Sequence, residues 1–241
     1  MTALAIPIIA LDVPSGAQAL ALARSLGDSC RFFKVGSELF VAEGPRIVRA
    51  LRDEVGADVF LDLKFHDIPN TVAGAVASAV ALGVRLLTVH ASGGVAMLSA
   101  AQGAAGTSCG VLGVTVLTSF DDESLARAWG RRSVRTEEEV MRLAEDAVAA
   151  GLHGIVCSGA EASAVTSVFG SALALLVPGI RLPGGALHDQ RRVMTPGAAQ
   201  SAGARYLILG RAVTAAADPR AAMAAVLADL EGEAGASHGR G

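Results

Sequence analysis

The sequence is poor in aromatic residues and in charge. Of its 241 residues, 4% are Phe, Trp or Tyr and 18% are Asp, Glu, Lys or Arg, and the formal net charge at pH 7 is −3. A nucleic-acid-binding domain usually presents a basic face, and a protein that holds single strands usually stacks bases on exposed rings. Both scarcities argue against nucleic-acid binding, so we expect no nucleic-acid partner.

Cysteine is also scarce, and long apolar runs are missing. The three cysteines, Cys30, Cys109 and Cys157, are dispersed and form no CxxC pair. An odd, dispersed set is typical of a reducing compartment, so we expect a cytoplasmic protein. No run of about 18 uncharged apolar residues predicts a membrane span. The amino-terminal MTALAIPIIALDV has no basic segment, so we interpret it as a first strand rather than a signal peptide.

What the sequence has in quantity is a series of short apolar runs separated by helix-like stretches. Most runs are nearly continuous in Val, Ile and Leu, which is typical of strands buried on both faces. The runs are residues 7–13, 32–36, 59–64, 86–91, 113–118, 154–159, 175–180 and 206–211. Eight such units predict an α/β protein with a (β/α)8 TIM barrel; the alternative is an open doubly wound sheet.

The same series indicates a single domain. No linker-like stretch interrupts it, so we assign residues 1–230 to one barrel. Between the runs, Ser15 is placed to cap a helix, and residues 137–151 begin with three acids and end in glycine, as helices prefer. Residues 231–241, EGEAGASHGRG, are small and polar and predict a disordered tail.

Polar side chains stand at the carboxyl ends of the apolar runs. In (β/α)8 barrels these strand ends form the face that carries the active site. The pattern therefore predicts an active site assembled from several strands. Its members are Asp12, Lys34, Asp62, Lys64, His90, Thr118, Arg181 and Arg211.

Charged residues interrupt an apolar, strand-like run in FLDLKFHDIPNT, residues 60–71. Alternate residues of a strand share a face, so Asp62 and Lys64 should point into the barrel mouth while the residues between them face the helices. Asp67 follows just beyond the strand, and Lys34 ends the neighbouring strand. Two ammonium and two carboxylate groups are therefore expected to meet.

Such an array is either an ion-pair network with a structural role or a preorganised catalytic site. Buried ion pairs stabilise proteins poorly, which favours the catalytic interpretation. Lys64, flanked by carboxylates, should be positively charged, which suits a general acid or a cation facing a developing carbanion. A Schiff-base aldolase needs an uncharged lysine, so the array argues against that class.

The loops that follow the last two strands favour a phosphorylated substrate, since (β/α)8 barrels often bind phosphate there. Arg181 and Arg211 supply guanidinium groups, and Gln190 supplies an amide. Gly210 and Arg211 lie where a helix could begin, so their main-chain N–H groups could also face an anion.

Several stretches resemble the orotidine 5′-phosphate decarboxylase family of the bacterial type. The most specific is DLKFHDIPNT; the shorter DxKxxD pattern also occurs in related barrels that act on sugar phosphates. The other matching stretches are residues 10–15, 33–40, 89–94, 113–119, 178–181, 189–199 and 203–213. The resemblance implies a lyase that converts orotidine 5′-monophosphate (OMP) to uridine 5′-monophosphate (UMP) and CO2, the last step of de novo UMP biosynthesis, without metal or cofactor.

The resemblance also implies a role for each candidate residue. Lys64 would donate the proton to C6 of the pyrimidine, Asp62 would lie beside the departing carboxylate, and Lys34 would join the network and contact the ribose. Asp67 and Thr71 would enter the site from the other subunit of a homodimer. The other substrate contacts would be Asp12 at the ribose, Thr118 at the pyrimidine, and Arg181, Gln190, Gly210 and Arg211 at the phosphate.

Two other classes stay open at this point. A metal-dependent sugar-phosphate decarboxylase or a hexulose-phosphate synthase would hold an enediolate with an acid and Mg²⁺. The IPNT after Asp67 and the pair Gln190 and Arg211 favour the OMP reaction instead. A binding protein without activity would keep Arg211 but could lose the charged strand end, which is intact here.

Overall fold

Eight parallel strands form one closed barrel in chain order, with the last strand paired to the first. The computed structural model describes residues 4–182 and 194–238, with side chains as far as residue 233. The strands are β1 (Ile6–Ala10), β2 (Phe32–Gly36), β3 (Asp58–Phe65), β4 (Leu86–His90), β5 (Gly110–Val114), β6 (Gly154–Val156), β7 (Ala174–Val177) and β8 (Ala204–Leu209). The prediction of an α/β (β/α)8 barrel is confirmed, and closure excludes the open sheet.

Helices follow the strands and cover the outside of the barrel. They are α1 (Gly16–Leu26), α2 (Ser37–Glu43), α3 (Pro45–Val55), α4 (Pro69–Ala81), α5 (Gly94–Ala105), α6 (Asp122–Ala128), α7 (Thr136–Ala149), α8 (Gly159–Phe169), α9 (Pro196–Ser201), α10 (Arg211–Thr214) and α11 (Pro219–His238). Local sequence explains their ends. The Ser15 side chain caps α1 by accepting a hydrogen bond from the Gln18 N–H, and three glutamates fill the first turn of α7.

The fifth strand lies earlier in the chain than the sequence predicts. We expected it over residues 113–118, but β5 pairs Gly110 and Val111 with Leu86 and Leu87 of β4 and ends at Val114. The two glycines of GVLGV weaken the local strand signal, so the apolar run after it stands out more. Residues 115–118 instead leave the sheet at the carboxyl face.

Two layers of apolar side chains enclose the sheet. The larger layer packs between the strands and the helices. The inner layer fills the barrel with Ile8, Phe32, Phe60, Leu86, Leu112, Leu176 and Tyr206. Two residues further along three of these strands stand Lys34, Asp62 and Thr88. The period of two places these polar groups directly above the apolar plug, at the carboxyl end of the barrel.

The carboxyl terminus differs from the expectation. Helix α11 runs to His238, so residues 231–238, for which the composition predicts disorder, are helical, while residues 239–241 lie outside the described part. The alanines and glutamates of EGEAGASH are good helix formers, and they continue a helix that has already been nucleated.

Two further observations concern the cysteines and the helices. The three cysteines are free and buried. Within the described residues, none of the helices combines the length and the apolar character needed to cross a membrane.

Candidate active site

The pairing of β3 with β4 becomes irregular at the carboxyl end of β3, where its charged residues lie. Leu61 pairs with Leu87 and Phe65 pairs with Val89, so the three residues between them on β3 stand opposite the single Thr88 of β4. Lys64 has φ +52°, and it is the only non-glycine with a positive φ in the described part of the chain. This left-handed conformation costs an L-residue about 1–2 kcal/mol, so neighbouring contacts must hold it.

Four charged side chains form a continuous chain of ion pairs at this strand end. The Lys34 ammonium donates to Asp12 Oδ1 at 2.9 Å and lies 3.6 Å from Asp62 Oδ2. The Lys64 ammonium donates to Asp62 Oδ1 at 2.8 Å. Lys34 and Asp62 are largely buried, with 11% and 14% of their side chains exposed, whereas Lys64 is 35% exposed. Lys64 is therefore the inner cation that is most open to a ligand.

Gly36, at the end of β2, leaves room for this chain of charges. A Cβ at that position would lie 3.0 Å from Lys34 Nζ and 3.6 Å from Asp12 Oδ1. The first of these distances is tighter than ordinary van der Waals contact, so a side chain here would press on the Lys34 ammonium. We had not assigned Gly36 a role from the sequence.

The charges form one wall of a cavity of about 240 Å³ at the carboxyl end of the barrel. Asp12, Lys34, Asp62 and Lys64 line one part of it. The rest is mainly apolar, with Thr118 among the lining residues: Phe60, Val114, Val116, Leu117, Thr118, Val156, Cys157, Leu176, Pro178 and Ile208. Such walls lower the local dielectric constant and strengthen the field of the charges. The arrangement suits a flat, mostly apolar ring whose reacting edge meets the lysine.

Cys157 lines the cavity but is not a nucleophile. Burial, with a smaller contribution from the charge of Glu161, raises the pKa of its thiol to about 12. The thiol is therefore protonated at neutral pH, and only a thiolate attacks efficiently. Among the described residues, His, Cys, Asp and Glu side chains nowhere gather in a group of three or more that could hold a metal ion.

Asp67 does not join the array within one chain. Its Oδ1 accepts a hydrogen bond from the N–H of Ile68 at 2.6 Å, and it forms no ion pair with any described residue. The second carboxylate of the array is Asp12, which pairs with Lys34, so the expectation from spacing alone that Asp67 is a local member of the array is wrong. Asp67 and Thr71, which lies in the first turn of α4, are both exposed.

The residues predicted to bind phosphate follow the last two strands. Gly210 caps α10, and Arg211 is its first residue, directly after β8. Ile180 forms an isolated bridge with Met194 beyond β7, and the Arg181 N–H donates to Met194 O at 2.9 Å. These main-chain contacts fix the position of the Arg181 backbone at the carboxyl face, from which its side chain extends. Gln190 lies outside the described residues.

Two further residues lie near Lys64: His90, which belongs to the predicted set of strand-end residues, and Thr88, which was not assigned to the site from the sequence. His90 ends β4, and its ring lies 5.4 Å from that of His66. Burial lowers the pKa of His90, as do the charges of His66 and Lys64, so its ring is neutral at pH 7. Thr88 is fully buried and donates from its hydroxyl to Asp62 Oδ1 at 3.0 Å. Its only sequence signal is one hydroxyl in the apolar run LLTVH.

Comparison with known proteins settles the family. The orotidine 5′-phosphate decarboxylase / HUMPS family profile matches residues 6–226, from β1 into α11. The chain belongs to this family. The resemblance carried by DLKFHDIPNT is thereby confirmed over nearly the whole chain.

Individual members of the orotidine 5′-phosphate decarboxylase / HUMPS family are closely similar to this chain in sequence or in structure. An orotidine 5′-phosphate decarboxylase of Laribacter hongkongensis is 48% identical over 227 residues, 92% of each chain. One of Sodalis glossinidius is 49% identical over 228 residues, 93% of this chain and 89% of that one. The crystal structure of orotidine 5′-phosphate decarboxylase from Lactobacillus acidophilus matches with a TM-score of 0.84 at 33% identity, covering 95% of this chain and 99% of the other.

Proposed function

We propose that this chain decarboxylates OMP to UMP and CO2, the last step of de novo UMP biosynthesis. The observation that carries the proposal is the chain of ion pairs Asp12–Lys34–Asp62–Lys64 on one wall of an otherwise mainly apolar cavity. The family membership and the names of relatives 48–49% identical to this chain support the same reaction.

Binding of the substrate would begin at its phosphate. Arg181 follows β7 and Arg211 follows β8, and Gly210, directly before Arg211, offers one main-chain N–H donor. With Gln190 they would hold the phosphate, while Asp12 and Lys34 would bind the ribose. Thr118 would then meet the pyrimidine in the cavity. Because the phosphate lies far from the reacting carbon, its binding energy can orient the ring over Lys64.

The chemistry follows from the pair Asp62 and Lys64. The bond between C6 and the carboxylate breaks, CO2 leaves, and the electron pair stays on C6. The Lys64 ammonium stabilises this charge and then gives its proton to C6, which yields UMP; solvent returns a proton to the amine. Asp62, whose Oδ1 is 2.8 Å from Lys64 Nζ, fixes the ammonium and faces the departing carboxylate.

The proposal includes a homodimer in which each site is completed by Asp67 and Thr71 of the partner subunit. Three observations support it. In one chain Asp67 bonds to the backbone beside it rather than to a lysine. Thr71 is exposed on the adjoining turn. Between them the apolar side chain of Ile68 is 67% exposed, as expected of a residue at an interface.

A metal-dependent sugar-phosphate decarboxylase or a hexulose-phosphate synthase is the alternative on the same barrel. Such an enzyme needs carboxylate oxygens that are open to Mg²⁺. In this site both oxygens of Asp62 already face ammonium groups, at 2.8 Å and 3.6 Å. The position that a cation would take beside Asp62 is thus filled by Lys34 and Lys64, which favours the metal-independent reaction.

The test of the function is the loss of OMP absorbance with purified protein in the presence of a chelator such as EDTA. We expect full activity under these conditions and UMP as the product. Activity on OMP that disappears with EDTA and returns with Mg²⁺ would favour the metal-dependent alternative. A complete lack of turnover, with or without metal, would contradict the proposal.

Arg211→Ala should weaken substrate binding more than it slows the chemistry. A hydrogen bond to a charged group contributes about 1.5–3 kcal/mol, so we expect KM for OMP to rise about 10–100-fold while kcat changes less. Arg205→Ala is the matched control, since Arg205 is exposed near the other end of the same strand and should leave both constants unchanged. An unchanged KM in Arg211→Ala would refute the assignment of Arg211 to the phosphate.

A further inference from the structure

Thr88 connects the backbone of Lys64 to the carboxylate of Asp62. Its hydroxyl accepts a hydrogen bond from the Lys64 N–H at 2.9 Å and donates one to Asp62 Oδ1 at 3.0 Å. The same Oδ1 also accepts from the Lys64 ammonium at 2.8 Å. One buried oxygen atom thus joins the proposed proton donor, Lys64, to Asp62, the carboxylate that fixes its ammonium group.

The position of Thr88 explains why this contact falls on the strained residue. Three residues of β3, from Asp62 to Lys64, stand opposite Thr88 between the Leu61–Leu87 and Phe65–Val89 pairs. At such a bulge the regular ladder of main-chain hydrogen bonds is interrupted. The Thr88 hydroxyl offers the Lys64 N–H a buried acceptor at that interruption, where Lys64 has φ +52°.

We propose that Thr88 is a positioning residue for the decarboxylation. Its hydroxyl holds Lys64 in the left-handed conformation and fixes the orientation of Asp62, and together these aim the Lys64 ammonium into the cavity. The inference rests on the proposed function, because Lys64 is the group that it positions. Thr88 itself is not among the residues that line the cavity, so it acts through Lys64 and Asp62.

The contribution of the hydroxyl can be separated from that of the fold. Thr88 is paired in register with Leu112 of β5, a main-chain pairing that does not involve its side chain. Valine has nearly the shape of threonine but no hydroxyl. In Thr88→Val the Lys64 N–H would face a methyl group, and the backbone would relax to a conformation that finds another acceptor.

The experiment compares Thr88→Val with Thr88→Ser, which keeps the hydroxyl. We expect Thr88→Val to lower kcat about 10–100-fold with KM within about threefold of wild type, since a misplacement of about 1 Å at a catalytic group has this effect. Thr88→Ser should stay within about threefold of wild type in both constants. In a crystal structure of Thr88→Val, φ of Lys64 should leave the positive region.

Thr115→Val is the matched control. Thr115 is also buried, and its hydroxyl donates to the main-chain Val156 O at 2.8 Å rather than to a charged side chain. It should lose thermal stability to the same degree as Thr88→Val but keep its kcat. A purely structural role for Thr88 would make the two variants behave alike.

Three results would overturn the inference: a wild-type kcat in Thr88→Val, an equal loss in Thr88→Ser, or a positive φ at Lys64 that persists in Thr88→Val. If Thr88→Val does not fold, Thr88→Ala carries the same expectations. If the wild-type protein does not turn over OMP, the proposed function fails by itself. The conformation of Lys64 in the variant then still decides whether Thr88 holds it.

Discussion

Lys64→Ala should abolish measurable OMP decarboxylation while the barrel stays folded. The substitution removes the cation that faces the developing negative charge and the proton that C6 receives. General acid catalysis contributes about 10²–10⁴-fold and one electrostatic contact about 10²–10³-fold, so we expect kcat to fall by at least about 10⁴-fold. Steady-state kinetics with OMP measures this loss. The melting temperature and the affinity for UMP report on whether the fold and the phosphate site are intact.

Lys64→Arg sharpens this prediction. A guanidinium keeps the positive charge but does not give up its proton in a protein, so it separates electrostatic stabilisation from proton donation. We expect Lys64→Arg to remain severely impaired, because both the proton and the compact shape of the ammonium are lost. If Lys64→Ala kept most of its activity, or if Lys64→Arg matched wild type, the role assigned to Lys64 as proton donor would be wrong.

Asp67→Ala should also lose nearly all activity, and a mixed dimer with Lys64→Ala should recover part of it. Asp67 is exposed and hydrogen-bonds to the neighbouring Ile68 N–H, so its removal should disturb the fold little. In the mixed dimer, one site combines Lys64 of one chain with Asp67 of the other, and both are wild type. The second site lacks both groups.

The mixed dimer can be isolated after co-expression with two different affinity tags. With one of its two symmetry-related sites intact, we expect about half of the wild-type activity per dimer. Doubly tagged dimers of Lys64→Ala alone are the control and should stay inactive. Full activity of Asp67→Ala by itself would show that Asp67 is dispensable. An inactive mixed dimer would show that the two residues do not meet across subunits.

Much of the architecture could be predicted because strands buried on both faces leave a plain signal. The runs PIIALDV and YLILGR include most of β1 and most of β8. Alternation along β3 correctly directed Asp62 and Lys64 towards the cavity. The start of β5 was missed because its glycines resemble a turn. The last turns of α11 were missed because a polar tail that continues an existing helix has no signal of its own.

The finer geometry of the site could not be predicted, since it depends on contacts between distant segments. The left-handed conformation of Lys64 arises from the pairing of β3 with β4, and its hydrogen-bond partner Thr88 is 24 positions away. Spacing placed Asp67 in the array because it is close in sequence. The structure places Asp12 there instead, since β1 and β2 are neighbours in the barrel.

A crystal structure with UMP bound tests the central claim most directly. We expect Lys64 Nζ within about 3 Å of C6, which is the reach of a proton donor, with the phosphate held by Arg181 and Arg211. Asp67 of the partner subunit should lie against the Lys64 ammonium. A uracil ring bound away from Lys64, or a site completed entirely within one chain, would contradict the account.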